Sequence, residues 1–254
     1  MKRVLLGGDA HLQQGQDADL SYQLFKKVCS AIKPNQIILG GDILDMEFLG
    51  HFTTVGQQEG KRLSETLKIL KGELQFFKKC SKEQLVFFQG NHEERLDRFL
   101  DSQPVLKGSV DFEGIFDNLS VKYIPMNQQP FQYLPDLYIC HGLFYNQYFT
   151  KKHIELLGQS CINFHTHRVQ QYVNSYPNGK LMQGIGAGSL TETVEYYCKG
   201  KTIPNHSHSF IELLIDEETG RWQANNIIIN TDADEAWCIV NNKLYQVEKQ
   251  VALK

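Results

Sequence analysis

The sequence predicts an α/β fold in a single domain of 254 residues. Short apolar runs typical of buried strands alternate with amphipathic helices, and most of the first runs end in glycine followed by an acidic or histidine motif. A hydrophobic fraction of 41% suffices for a substantial core. No linker, repeat or low-complexity tract divides the chain, so we expect one domain over residues 1–254. Its motifs occupy about 1–190, and a β-rich extension occupies about 205–254.

The first half of the chain predicts strands and helices in alternation. Residues 4–8 predict a buried strand, and residues 17–32 predict a helix because apolar residues recur there at a four-residue spacing. Residues 36–39 and 85–88 predict the next two strands. Between them, residues 61–80 predict a helix with leucines on one face and lysines on the other.

The second half of the chain, after about residue 133, has short apolar runs and few helical patterns. We expect strands over 137–140, 161–164, 169–173 and 181–185. Residues 210–215 and 222–229 flank an Asp-Glu-Glu-Thr-Gly turn and predict a hairpin. The stretch 103–132 has no clear pattern.

Composition excludes several classes of protein. The formal net charge of −3 disfavours binding of nucleic acid mainly through global positive charge, although a local basic groove stays open. Six scattered cysteines without a C-x-x-C pair favour reduced, mostly buried thiols. No signal-peptide core and no apolar run of about 18 residues is present, so we expect a soluble cytoplasmic protein without a membrane span. Nothing in the sequence predicts the oligomeric state.

Five short polar motifs follow the apolar runs. They are Asp9-Ala10-His11, Gly41-Asp42-Ile43-Leu44-Asp45, Gly90-Asn91-His92-Glu93, His141-Gly142 and His165-Thr166-His167. Oxygen and imidazole donors held at strand ends are what a site for two divalent ions needs. In an extended segment, the two donors of each x+2 pair, Asp9/His11 and His165/His167, would point the same way.

The donor types suggest how these residues could bind two ions together. The two carboxylate oxygens of Asp42 could bridge ions about 3.5–4 Å apart. Asn91 offers a neutral amide oxygen, which limits the negative charge, and His141 adds an imidazole. His92 follows a ligand but would point away from it, as a general acid for a leaving alkoxide. Asp45 could hydrogen-bond His92 and orient it.

In this order the motifs resemble the calcineurin-like metallophosphoesterase superfamily, whose pattern is D-x-H, G-D-x-x-D, G-N-H-[DE], an isolated His and G-H-x-H. The resemblance implies a four-layer sandwich of two mixed β-sheets flanked by helices. It implies two divalent metal ions, with Mn²⁺ favoured and Fe, Zn or Ni as alternatives. One departure is Phe164, which stands where the family usually has the glycine of its last motif.

Residue by residue, the resemblance assigns two sets of ligands. The first metal would be bound by Asp9, His11, Asp42 and His167. The second would be bound by Asp42, Asn91, His141 and His165, with His92 as the catalytic acid. The stretch 90–96 and the C-terminal tail also resemble uncharacterised phage and prophage phosphoesterases, which would place the protein in a host cytoplasm.

Several further polar residues are candidates for substrate contact. Asn91, His92, Arg95 and His51 are predicted to contact substrate. Arg95 could instead lie on a solvated helix face, and His51 could instead be a surface or helix-flank residue.

Other residues near the motifs have simpler interpretations. His206 and His208 are interpreted as a loop before the next strand, and His153 as a surface or helix-flank residue. Tyr145, Asn146 and Tyr148, in the loop after His141, could stack on or bind a leaving group, or they could pack in the core.

These observations predict a phosphoester hydrolase of phosphodiesterase or nuclease type acting on a nucleotide, nucleic acid or other diester. The alternative is a phosphomonoesterase acting on a nucleotide or phosphoprotein. The acidic run Asp45-Met46-Glu47 weakens the phosphoprotein alternative, because protein phosphatases carry an arginine soon after this motif. A non-catalytic binding module on the same fold is the remote alternative, since none of the expected ligands is missing.

Overall fold

The computed structural model describes residues 1–50, 53, 55–106, 108–177, 179–192 and 205–249. Within this part of the chain, two mixed β-sheets lie face to face, with helices on the outside of each. The predicted α/β class and the sandwich of two mixed sheets are therefore confirmed. Across the same residues, no helix combines the length and hydrophobicity needed to cross a membrane.

The strands form one sheet of eight and one of five. They are β1 (Lys2–Gly7), β2 (Gln36–Leu39), β3 (Val86–Phe88), β4 (Lys122–Ile124), β5 (Phe131–Leu134), β6 (Leu137–Cys140), β7 (Ser160–Asn163), β8 (Gln170–Ser175), β9 (Leu181–Gly186), β10 (His208–Ile215), β11 (Trp222–Thr231), β12 (Glu235–Val240) and β13 (Lys243–Glu248). The larger sheet has the order β13-β12-β11-β10-β1-β2-β3-β4, and the smaller sheet has the order β5-β6-β7-β9-β8. Strands β1 to β4 are parallel, whereas β10 pairs antiparallel with β1.

The helices lie between these strands in the chain. They are α1 (Leu20–Ile32), α2 (Val55–Gln58), α3 (Leu63–Cys80), α4 (Asn91–Ser102), α5 (Phe112–Asn118) and α6 (Phe149–Leu157), with short 3-10 turns at Glu47–Leu49, Pro104–Leu106 and Met126–Gln128. Val28 of α1, Leu74 of α3 and Phe116 of α5 pack on the outer face of the larger sheet. Ile154 of α6 packs against Cys161 of the smaller sheet. Burial of each such side chain stabilises the fold by about 1.5–3 kcal/mol.

Alternation along β1 decides which side chains lie between the sheets. Val4 and Leu6 pack there with Ile38 and Ile162, whereas Leu5 faces the helices. Successive strand residues point to opposite faces, so a strand covered on both faces is apolar throughout. The central strands therefore appear in the sequence as continuous hydrophobic runs.

Element predictions agree with the structure where the pattern is strong. The ranges 36–39 and 137–140 coincide with β2 and β6, and the predicted hairpin is β10–β11. The helix predicted from residue 17 begins at Leu20. Its start is delayed because Asp19 has an extended ψ of 152° and its carboxylate accepts hydrogen bonds from Thr191 and Glu192.

Two predictions about side-chain burial have clear outcomes. The five described cysteines are free and buried, as predicted, and Cys198 lies outside the described residues. The surface position expected for His153 is wrong, because this residue is fully buried in α6. Its Nε2 accepts the N–H of Leu143 at 2.9 Å, so Nδ1–H donates to the carbonyl of Phe149 at 2.7 Å. Burial lowers the pKa of His153, which favours this neutral form.

Candidate metal centre and catalytic site

All five polar motifs lie just beyond the carboxyl ends of central strands. They follow β1, β2 and β3 of the larger sheet and β6 and β7 of the smaller one. Parallel strands end at a common edge, and the two sheets face each other, so the five loops meet at one end of the sandwich. The structure therefore brings together residues from positions 9 to 167 of the chain.

The backbone of these loops is left-handed at five donor residues. The φ angles are 53° at Asp9, 47° at His11, 49° at Asp42, 74° at His165 and 56° at His167. Asp and His tolerate this region better than most residues, but each position costs free energy that the surroundings must offset. The extended backbone predicted for the two x+2 pairs is therefore wrong, although the donors of Asp9 and His11 still lie in one group.

The left-handed turns separate the members of one pair and not of the other. His167 joins Asp9 and His11 in one group of donor atoms, whereas His165 joins Asp42 and His141 in another. The N–H groups of Ala10 and His11 both donate to the carbonyl of Asp42, at 2.8 and 3.0 Å, which ties the first two loops together.

The first donor group consists of Asp9, His11 and His167. Nε2 of His11 lies 3.2 Å from Nε2 of His167, and Oδ1 of Asp9 lies 3.5 Å from the same His167 atom. Oδ2 of Asp9 accepts the N–H of His165 at 3.0 Å, but buried Oδ1 has no hydrogen-bond partner among the described residues. Three converging donors, one of them unsatisfied, fit a divalent cation.

The second donor group consists of Asp42, Asn91, His141 and His165. Nε2 of His141 lies 3.2 Å from Oδ2 of Asp42 and 3.1 Å from Oδ1 of Asn91. Nδ1 of His141 lies 2.8 Å from the carbonyl of Gly40, to which it donates, and this leaves Nε2 directed at the other donors.

Asp42 lies between the two donor groups. Its Oδ1 accepts the N–H of His92 at 2.7 Å. Its Oδ2 lies 3.2 Å from Nε2 of His141 and 4.0 Å from Nε2 of His11. One oxygen thus holds the loop, while the other faces a histidine of each group. A Cβ at Gly90 would collide with this carboxylate, so glycine is required there.

Burial sets the protonation of the imidazoles. It lowers the pKa of His165 to about 4 and holds the pKa of His11 well below its usual range, helped in each case by a neighbouring histidine. Burial would also lower the pKa of His141, but the Asp42 carboxylate raises it to about 10. Neutral His11 and His165 are ready to donate lone pairs, whereas His141 must release a proton to do so.

A second cluster contains His92, Asp45 and Arg95. Nδ1 of His92 lies 3.2 Å from Oδ1 of Asp45 and 3.1 Å from Nη1 of Arg95. Asp45 is itself fixed by Gln13, whose Nε2 donates to Oδ2 at 2.6 Å. One nitrogen cannot donate to a carboxylate and accept from a guanidinium at once. The carboxylate favours a proton on Nδ1, and Arg95 then faces Asp45, 4.0 Å away.

His92 also lies close to the first donor group. Its ring centroid is 4.4 Å from that of His11, and its ring nitrogen falls within a third group of possible metal donors with His11 and Asp42. The assignment of His92 as an acid outside the metal shell therefore stays a prediction. Of the other predicted substrate contacts, Arg95 is half-buried beside His92, and His51 lies outside the described residues.

Two further aromatic rings border the site: His206, which was interpreted as part of a loop outside it, and Tyr145, for which contact with a leaving group was one of two interpretations. The ring centroid of His206 is 4.8 Å from that of His167, and the ring centroid of Tyr145 is 5.4 Å from that of His165. Burial, together with His167, lowers the pKa of His206 to about 4. The H-x-H spacing at 206–208 was the sequence signal available for His206. Phe164, at the position of the family glycine, packs between Gly8 and Gly40 in the core.

Glu93 is a fully buried carboxylate that joins the second and third loops. Oε2 accepts the N–H groups of Asp42 and Gly90, and Oε1 accepts that of Leu44, each at 2.9 Å. Burial and the Asp42 carboxylate raise the pKa of Glu93 to about 7, although the N–H groups of Leu44 and Gly90 act to lower it. Cations bound at Asp42 would oppose this shift.

Replacement of Glu93 by glutamine is expected to destabilise the fold by about 2 kcal/mol, because an amide NH₂ would face backbone N–H donors in a buried place. Thermal unfolding should show a Tm lowered by about 4–8 °C. Glu94→Gln is the matched control, because Glu94 is more exposed and pairs with Arg98 on the helix surface. Its stability should change by less than about 0.5 kcal/mol. Equal Tm values for the two variants would contradict the role of Glu93.

Metal binding is expected to stabilise the protein. Mn²⁺ at about 100 times its Kd should add about 2.7 kcal/mol and raise the Tm of chelator-treated protein by about 5–10 °C. His167→Ala should reduce this rise. His208→Ala should not, because Nδ1 of His208 lies 3.4 Å from Oγ of Ser189 and His208 belongs to neither donor group. Differential scanning calorimetry with and without metal measures the rise in Tm for wild type and both variants. A wild-type Tm that metal leaves unchanged would contradict the metal site.

Comparison with known proteins identifies the family of this chain. A family model described as calcineurin-like phosphoesterase matches residues 2–188. No curated protein matches the chain. The solved structures similar to it include TT1561 of Thermus thermophilus, with 8% identity over 89% of this chain and 98% of that one and a TM-score of 0.40. Another is a dimetal phosphatase from Danio rerio, with 11% identity over 93% of this chain and 95% of that one and a TM-score of 0.40. Because the family model spans most of its length, this chain belongs to the calcineurin-like phosphoesterase family.

Proposed function

We propose that this protein is a phosphodiesterase that needs two divalent metal ions, with Mn²⁺ as the preferred ion. Family membership implies a metal-dependent phosphoester hydrolase. The observation that carries the proposal is the position of Oδ2 of Asp42, which faces His141 in one donor group and His11 in the other. A shared carboxylate oxygen is the natural bridge of a dinuclear centre.

The ligands in this proposal are Asp9, His11, Asp42, Asn91, His141, His165 and His167. When bound, the two ions would activate water and polarise the phosphoryl group. The protein holds the donors in buried turns, which fixes their geometry before any ion binds.

His92 supplies the proton in this proposal, and Asp45 positions it. Protonated on both nitrogens, His92 donates to Asp45 through Nδ1 and can give its Nε2 proton to the departing oxygen. Asp45, held by Gln13 and by the N–H of Glu47, keeps the imidazole in position. A cleft of 260 Å³ opens beside Asp45 and offers space next to this acid.

Phosphomonoesterase activity is the second candidate, and Arg95 supports it. Its guanidinium lies 3.1 Å from His92, close enough to the acid to contact a doubly charged phosphate. The acidic residues that follow Asp42 favour the diester, which carries one negative charge less. The subgroup resemblance to phage enzymes and the cytoplasmic location stay predictions.

The test is hydrolysis of matched nitrophenyl esters by purified protein. Chelator-treated protein should regain turnover of bis(p-nitrophenyl) phosphate with Mn²⁺, and Fe²⁺, Zn²⁺ and Ni²⁺ should be compared at equal concentration. A kcat/KM that favours p-nitrophenyl phosphate would move the assignment to a monoesterase. No turnover of either ester with any ion would refute the proposal. Single-stranded and duplex DNA in the same assay would separate a nuclease from a small-molecule esterase.

A further inference from the structure

Tyr145 is a large aromatic side chain that is exposed beside a buried donor group. Tyr145 is 74% exposed, although its ring centroid lies only 5.4 Å from that of His165, with the rings inclined at 63°. His165 in turn contacts the ring of His141. Tyr145 therefore borders the second donor group, with most of its ring open to solvent.

The loop that carries Tyr145 is anchored by side chains from the neighbouring elements. Nη2 of Arg168 donates to the carbonyls of Tyr145 and Asn146, at 3.0 and 3.1 Å. Nε2 of Gln170 donates to the carbonyl of Gln147 at 2.8 Å. Because the backbone is fixed, a ligand that binds the ring has little loop entropy to remove.

The two ends of the same loop are held by contacts with α6. Nε2 of buried His153 accepts the N–H of Leu143, and the guanidinium of Arg168 lies 5.2 Å from the ring centroid of Phe149. These contacts fix both ends of the loop against α6. The exposed ring of Tyr145 is thus presented by a rigid support.

An open aromatic face beside a phosphate-binding centre matches a particular kind of phosphoester. A planar ring of the substrate can stack on tyrosine, and base–aromatic stacking contributes enough for about a tenfold change in affinity. Arg168 and the exposed Lys152, whose Nζ lies 5.7 Å from the ring centroid of Phe144, add positive charge near the loop.

Building on the proposed diesterase activity, we propose that Tyr145 stacks on a nucleobase, so that the substrate is a nucleotide ester or a nucleic-acid strand. Tyr145 then determines specificity through substrate binding and leaves the chemical step to the donor groups and His92. Tyr145→Ala should raise KM for base-bearing diesters, with kcat unchanged. Tyr145→Phe keeps the ring and should behave as wild type.

The experiment compares two diesters with the same leaving group. They are thymidine 5′-(p-nitrophenyl phosphate), which carries a base, and methyl p-nitrophenyl phosphate, which does not. In the metal-loaded enzyme, Tyr145→Ala should raise KM about tenfold for the thymidine ester and leave the methyl ester unchanged. Tyr148→Ala is the matched control, because Tyr148 is 62% exposed and lies three residues further along the same loop.

Binding gives a readout independent of turnover. Calorimetry with the metal-loaded protein should show that Tyr145→Ala lowers the affinity for thymidine 5′-phosphate about tenfold and leaves the affinity for inorganic phosphate unchanged. An equal loss for both ligands, an equal rise in KM for both esters, or no change in either would overturn the role of Tyr145. If wild type hydrolyses neither ester, the diesterase proposal itself fails. If wild type hydrolyses both esters and Tyr145→Ala has the same KM values as wild type, only the proposal that Tyr145 stacks on a base fails.

Discussion

Asp42→Asn is expected to reduce bound metal from two ions to one at most and to lower kcat by about 10³-fold. Asparagine tolerates the left-handed backbone at this position and keeps an oxygen for the N–H of His92. It replaces the other oxygen with an NH₂ group, which cannot bind a cation. Loss of one ion removes several kcal/mol of transition-state stabilisation, and each 1.36 kcal/mol is a factor of ten.

Metal analysis of the purified variant and kcat with Mn²⁺ are the measurements for this replacement. Asp101→Asn, on the exposed part of α4, is the control and should retain two ions and full activity. A variant that keeps two ions and wild-type kcat would refute the bridging role of Asp42. Circular dichroism should show an unchanged fold, because the hydrogen bond that joins the loops is retained.

Elements with strong periodicity could be predicted from the sequence, and irregular ones could not. α1 and α3 bury one face against the larger sheet, so their apolar residues recur at helical spacing. The stretch 103–132 contains α5 of seven residues and β4 of three, too short to show a period. Its position depends instead on tertiary contacts, such as the hydrogen bond from the N–H of Met126 to Gln89.

The residue types of the candidate site were predictable from the sequence, and the family resemblance placed His165 and His167 in different ligand sets, but residue spacing alone did not give the geometry. Metal chemistry limits ligands to a few side chains, so Asp, Asn and His after strands were visible in the sequence. Spacing alone suggested that His165 and His167 point the same way, whereas left-handed turns direct them into different donor groups. Distant contacts, such as that of His206 with His167, depend on how β10 returns to pair with β1.

His92→Ala is expected to lower kcat by about 10²–10⁴-fold for diesters with a poor leaving group, while bound metal stays at two ions. An alkoxide leaves slowly without a proton, so its release depends on His92. A p-nitrophenolate leaves without one, so bis(p-nitrophenyl) phosphate should lose much less activity. Asp45→Asn should show the same dependence on leaving group at about 10–100-fold, because it acts by positioning His92.

The dependence on leaving group separates an acid from a ligand. His92 lies near His11 and Asp42, so it could instead hold a cation. A ligand role would lower metal content and reduce turnover of both kinds of ester alike. Metal analysis with kcat for an alkyl and a nitrophenyl ester therefore decides the assignment. If the His92→Ala variant keeps two ions and loses activity selectively on the alkyl ester, His92 is the acid. If the variant loses an ion, His92 is a metal ligand.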